Sequence, residues 1–394
     1  DLDTTMLVEA AAGTGKTTSM VGRMVNLLQA SCCTVDTMAA VTFTRKAAAE
    51  MRGRFQLELE KRARDTDGEE HHRLREALEH VERCFIGTIH SFCGSLLRER
   101  PVEAGVNVGF EPAEDDEDAR MRREAWDDHC ARLHAEQAPL LDDLQELGIN
   151  LADLADAFTT FADYPDVDAW PCEASVPLPD LQVAERQFRE FAAHAMALGL
   201  GEEYGASDTV VPFYRRMWFY DRVASFETHR EAGETLSRFD RKFKVTYTKW
   251  PGESRDEKKA LATGEVERCE KFRDEVALPF LRALYQHRYR LVLQLMQGAR
   301  KLYDERRAAA GVLNYQDLLL KAAELLREGG RHVRDYFARR VTHLLVDEFQ
   351  DTDPIQAEVM MLLTADDPAE ADWRACRPRP GSLFVVGDPK QSIY

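Results

Sequence analysis

Five short apolar runs rich in β-favouring residues punctuate the chain: Met6–Glu9, Met38–Phe43, Cys84–Thr88, His343–Asp347 and Leu383–Gly387. The first four lead into polar or Gly-containing sequence and then a helical pattern. That rhythm predicts a parallel sheet with helices on both faces, not a set of hairpins. Three runs precede residue 100 and two follow residue 340. Between them, about residues 105–300 are rich in Glu, Asp, Arg, Ala and Leu at helical spacing, as over Arg282–Met296. The opening of that stretch, Glu111–Asp118, holds six carboxylates in eight residues and suits a solvated linker or helix start. The simplest architecture is one α/β domain at 1–104 and 305–394, interrupted by a mostly helical inserted domain at 105–304.

Composition narrows the class. The 394 residues carry 52 Lys and Arg against 70 Asp and Glu, a formal charge of −18. Such a balance argues against coating nucleic acid everywhere, though not against gripping it locally. No apolar run approaches the roughly 20 residues that span a bilayer, so no membrane role is expected. Eight cysteines without a Cys-x-x-Cys pair read as reduced cytoplasmic thiols, with no zinc or iron–sulfur site. The chain opens on Asp1 and stops at Tyr394 inside a patterned segment, which suggests a piece of a longer protein.

Candidate chemistry begins at residues 7–18, Leu-Val-Glu-Ala-Ala-Ala-Gly-Thr-Gly-Lys-Thr-Thr. An apolar run enters a loop of small residues, and the loop opens a helical pattern. Small residues let successive N–H groups surround phosphate oxygens, and the helix N-terminus favours negative charge. Ala12, Gly13, Thr14, Gly15, Lys16, Thr17 and Thr18 are therefore expected to bind the nucleotide, ATP. Lys16 would reach the β and γ phosphates and Thr17 would ligate Mg²⁺. The strict pattern asks for Gly at position 10, where this chain has Ala10.

His343-Leu-Leu-Val-Asp-Glu adds an apolar run ending in two adjacent carboxylates, with Asp347 lying 331 positions from Lys16. Side chains alternate along a strand, so the two acids suit different tasks. Asp347 suits the metal and Glu348 suits polarising a water. Such a separation fits a nucleotide site only if a whole domain is inserted.

With these residues stand Val41-Thr-Phe-Thr-Arg-Lys-Ala-Ala, Gly87-Thr-Ile-His-Ser-Phe-Cys, Asp347-Glu-Phe-Gln-Asp-Thr and Val386-Gly-Asp-Pro-Lys-Gln-Ser-Ile-Tyr. In that order they resemble the superfamily 1 DNA helicases of the UvrD/Rep type. Glu9-Ala-Ala-Ala-Gly-Thr-Gly-Lys-Thr, Met51-Arg-Gly-Arg-Phe and Leu313-Asn-Tyr-Gln-Asp-Leu-Leu lean toward the AddA/RecB branch, the motor subunits of helicase–nucleases. The resemblance covers residues 5–100 and 311–394 and is faint across 105–300.

The resemblance implies a RecA-like P-loop NTPase fold. It also implies ATP-driven 3′→5′ translocation, single-stranded DNA and strand junctions as partners, and a nuclease or helicase partner subunit in a bacterial cytoplasm. It assigns Gln391 to the γ-phosphate or its water, Asp388 to the metal and water network, and Gln350 to a link between sites. Thr42, Phe43 and Thr44 would touch single-stranded DNA, and Thr88, His90 and Ser91 would hold its phosphates. Asn314, Tyr315 and Asp317 form a further DNA-side motif. On residue type alone, Phe43 suits the core as well as a base platform, and His90 suits a satisfied loop. The resemblance also implies a second RecA-like domain, absent from residues 1–394, without which the chain is expected to unwind nothing. A stand-alone repair helicase, or a nucleotide-gated DNA scaffold without turnover, are the alternative readings.

Within the acidic central stretch, Arg238–Trp250 holds five basic residues, one acidic residue and four aromatics. It suits either DNA contact or an amphipathic surface segment whose aromatics enter the core.

Overall fold

The computed structural model describes residues 2–9, 15–165, 167, 170–172, 177–200 and 207–392. All five apolar runs become strands, within a residue of the expected ends. In chain order the strands are β1 (Met6–Glu9), β2 (Met38–Thr42), β3 (Phe85–Thr88), β4 (Glu111–Pro112), β5 (Val312–Leu313), β6 (His343–Val346) and β7 (Leu383–Gly387). The large sheet is parallel throughout, in the order β1-β7-β6-β2-β3. The short β4 and β5 pair separately.

Shortened strand ends have local causes. Cys84 closes a tight turn ahead of β3. The Asp347 N–H still donates to the Val41 carbonyl at 2.9 Å, and the ladder stops because Glu348 turns into the left-handed region at φ 54°. Because β1 and β6 flank β7, and parallel strands end on the same side, the loops after all three converge there. That is the crevice where open α/β sheets bind ligands.

Alternation along the strands divides the apolar side chains between two faces. Met38, Ala40, Ile86, Leu345 and Phe384 pack against α1 (Lys16–Gln29), α2 (Arg45–Arg64) and α3 (Gly68–Glu79). Ala39, Val41, Leu344, Val346 and Val385 pack on the other face. Their partners there are α4 (Ile89–Glu99) and the helices Tyr315–Glu328, Gly330–Arg340 and Pro354–Thr364. Doubly covered strands explain why these runs are continuously apolar.

The chain divides into two compact units, residues 1–118 with 307–394, and residues 119–306. The first crossing falls later than the change of texture near 105. Glu111–Pro112 pairs with Val312–Leu313, and Phe110 joins the sheet's core, so this segment is held within the α/β unit.

The second unit is helical among its described residues, around one aromatic-rich core. Phe239 meets Phe191, Phe213 and Phe272 at ring distances of 5.1, 5.0 and 4.4 Å. Phe239, Phe243 and Trp250 of the basic segment are buried, and the Trp250 indole donates to Asp208 at 2.8 Å. Those rings are core residues, as amphipathicity alone would have it.

Candidate functional site

Gly15 caps α1 with φ 90°, a backbone conformation that strains any side chain. Ala12, Gly13 and Thr14 lie outside the described residues. Lys16 and Thr17 occupy the first turn of α1, where unpaired N–H groups make the environment positive. Lys16 is buried, Thr17 is half-buried, and the Thr18 side chain is exposed.

Two side chains from the end of β6 meet this turn. The Lys16 ammonium donates to Glu348 Oε2 at 2.7 Å, across 332 positions of sequence. The Thr17 hydroxyl donates to the carboxylate of Asp347. The acids take different partners, as alternation anticipates, but the left-handed turn at Glu348 produces the separation. Non-glycine residues in that region store strain of order 1 kcal/mol, and they concentrate at functional sites.

Gln350 ties the acidic loop to the end of β7. Its amide donates to Glu348 Oε2 at 2.7 Å, and its carbonyl oxygen accepts the Asp388 N–H at 2.8 Å. A Cβ on Gly387 would sit 2.8 Å from that same oxygen, so only glycine permits the approach. Asp388 in turn accepts from the Gln391 amide and from the Lys390 N–H.

The electrostatics separate the carboxylates. Burial raises the Asp347 pKa, and the adjacent Glu348 charge raises it further. Its backbone hydrogen bond, Lys16 and Thr17 oppose this without cancelling it. Partial burial pushes Glu348 up, but the hydrogen bonds from Gln350 and Lys16 outweigh it, and the net shift is downward. Asp388 is lowered first by the Gln391 hydrogen bond and then by the Lys390 N–H. A buried ammonium, a hydroxyl on a carboxylate and an ionised second carboxylate at a helix N-terminus form a donor set suited to a phosphate chain carrying a divalent cation.

The candidate DNA-side residues divide. Phe43 is 50% exposed just beyond β2, as a stacking platform requires. Thr42 is 2% exposed and its hydroxyl has no partner, so the structure removes its side chain from the surface. Thr44 caps α2, accepting the Ala47 N–H at 3.1 Å. Thr88 caps α4 and donates to the Ser91 hydroxyl at 3.1 Å, so these two hydroxyls are engaged with each other.

The His90 ring meets Tyr315 edge-on at 5.2 Å. Burial lowers its pKa against the opposing charge of Asp353, which leaves a neutral imidazole at pH 7. Thr88, His90, Ser91 and Tyr315 line a cleft of about 410 Å³ together with Arg45, Arg52 and Arg98. These three exposed arginines supply the positive charge that His90 lacks. Sequence reasoning did not single them out, although each lies inside a quoted motif or directly after one. Asn314 and Asp317 cap the helix Tyr315–Glu328 reciprocally, and Asp317 also pairs with Arg307.

The whole chain, residues 1–394, matches the family model for the UvrD/REP helicase N-terminal domain. The chain belongs to that family. Curated relatives of this UvrD/REP-type chain include the ATP-dependent helicase/nuclease protein AddA of Anoxybacillus flavithermus, 27% identical, with 98% of this chain aligned to 35% of the relative. The proteins of the same name from Ligilactobacillus salivarius and Bacillus cereus are 23% and 27% identical. Each aligns over 34% of its own length with 100% and 99% of this chain, respectively. The chain thus spans about a third of the length of the curated relatives it matches. Among the described residues, no helix is long and apolar enough to cross a membrane.

Proposed function

We propose that this chain is the ATP-binding motor portion of a 3′→5′ DNA helicase, the helicase subunit of an AddAB/RecBCD-like helicase–nuclease acting in recombination. The observation that carries the reading is the meeting of Lys16 and Thr17 with Glu348 and Asp347 across the inserted helical unit. Residues 1–118 with 307–394 are then the first motor domain, and 119–306 the inserted domain. The substrate is ATP and the divalent cation is Mg²⁺. The other partners are single-stranded DNA and single/double-strand junctions, and a nuclease or helicase subunit, in the cytoplasm.

Lys16 exchanges Glu348 for phosphate oxygens when nucleotide enters, which frees the Glu348 carboxylate. That carboxylate is ionised at neutral pH and accepts a proton from the attacking water. Thr17 and Asp347 hold the metal, whose charge stabilises the transferring phosphoryl group. Gln350 touches both Glu348 and the Asp388 backbone, so a shift at one is felt at the other. Arg45, Arg52 and Arg98 draw DNA phosphates to the cleft beside Phe43 and Tyr315.

The test is phosphate release by the full-length polypeptide with and without single-stranded DNA. Stimulation by DNA that disappears in Lys16→Ala and Glu348→Gln is expected. Turnover that survives either substitution sinks the assignment. Residues 1–394 alone are expected to displace no strand, because the second motor domain is needed for closure.

A further inference from the structure

The helical unit carries a surface that the nucleotide site does not explain. The short helix Met217–Val223 turns Met217 into the core and leaves Trp218 60% and Phe219 54% exposed. Two adjacent large rings in water form a contiguous apolar patch, which is informative where a single exposed ring is not.

Basic side chains surround the patch. Arg222 lies over the Trp218 ring at 5.4 Å, and Arg216 is exposed just before it. The basic segment runs alongside. Arg238 sits over the Tyr220 ring at 4.8 Å, and the Lys244 N–H donates to the Thr209 hydroxyl at 2.8 Å. Phe213 holds Phe239 and Phe243 at 5.0 and 5.4 Å, so the rings of that segment face inward while Lys242 and Lys244 face solvent. Residues 209–224 and 236–250 hold eight basic and two acidic side chains in a chain of net charge −18. Of the two acids, Asp221 is already paired with Arg189 at 2.9 Å.

We propose that this face is a second binding site for single-stranded nucleic acid. Trp218 and Phe219 stack on bases, and Arg216, Arg222, Lys242 and Lys244 neutralise phosphates. Stacking requires an unpaired base, because the bases of a duplex already cover one another's faces. The rings therefore select single strands over duplex, and the cations select a polyanion over an apolar protein surface. The inference rests on this surface alone and is independent of the nucleotide-site reading.

Photocrosslinking tests it on residues 1–394. An oligothymidine carrying 5-iodouracil is irradiated with the chain, and crosslinked peptides are identified by mass spectrometry. Crosslinks at Trp218 or Phe219 are expected, in addition to any at Phe43 or Tyr315. The double variant Trp218→Ala, Phe219→Ala lowers the yield at this helix about tenfold, and Trp218→Phe keeps it within about twofold. Both rings are exposed, so circular dichroism should be unchanged. Crosslinks at Phe43 or Tyr315 alone overturn the proposal and leave the motor reading intact. Equal crosslinking of blunt duplex carrying 5-iodouracil, or binding of polyglutamate with no oligonucleotide crosslink, also overturns it.

Discussion

Glu348→Gln separates binding from turnover in a way the Lys16 contact dictates. Without nucleotide, Lys16 Nζ donates to Glu348 Oε2 at 2.7 Å. Hydrogen bonds to charged groups contribute about 1.5–3 kcal/mol net. The Glu348 side chain is 36% exposed, so solvent screening places this pair at the low end, about 1.5 kcal/mol. Glutamine keeps a neutral oxygen acceptor, and the loss is then about 1 kcal/mol.

A phosphate must break that contact to engage Lys16, so weakening it tightens nucleotide binding about fivefold. Removing the Glu348 charge also eases ionisation of Asp347, which acts in the same direction. The ligand-free variant should melt about 2–4 °C lower, while turnover falls about 100-fold or more. Fluorescence titration with a non-hydrolysable ATP analogue, thermal melts and phosphate release give the three readings. Unchanged or weaker analogue binding, or retained turnover, would refute the exchange of partners at Lys16.

Other consequences follow from the same geometry. Asp347→Asn should stabilise the ligand-free chain by about 0.5–2 kcal/mol at pH 7 while abolishing turnover. The Asp347 pKa is raised on folding, so its ionisation weakens the fold as pH rises through the folded value; the gain from Asn must shrink toward pH 4, and melts at several pH values check it. Gly387→Ala places a Cβ 2.8 Å from Gln350 Oε1; turnover should fall about tenfold, at roughly 1–3 kcal/mol of overpacking, with analogue affinity within about twofold of the parent. Phe43→Ala should weaken oligothymidine binding by about 1–3 kcal/mol in fluorescence anisotropy and leave stability within about 0.5 kcal/mol, whereas a stability loss without a binding loss would make Phe43 a core residue. Asp317→Ala strands buried Arg307 and removes half a capping box; urea denaturation should show a loss of about 3–5 kcal/mol.

Much of the fold was legible in the sequence because it is locally encoded. The strands are continuous apolar runs buried on both faces, and the phosphate loop announces itself through Gly15, Lys16 and Thr17 at the head of a helical pattern. The order β1-β7-β6-β2-β3 was not legible, because strand pairing is set by contacts among segments hundreds of residues apart. That order is what brings the loop after β6 to the first turn of α1. Residue type placed Thr42 among DNA contacts, while burial in the sheet withdrew it. Type also suggested a phosphate role for His90, which desolvation leaves neutral beside three arginines that supply the charge. In Arg238–Trp250 the composition could not say which side faces water. The tertiary core decided it, because aromatic rings gain more from burial than Lys and Arg can bear to lose in hydration.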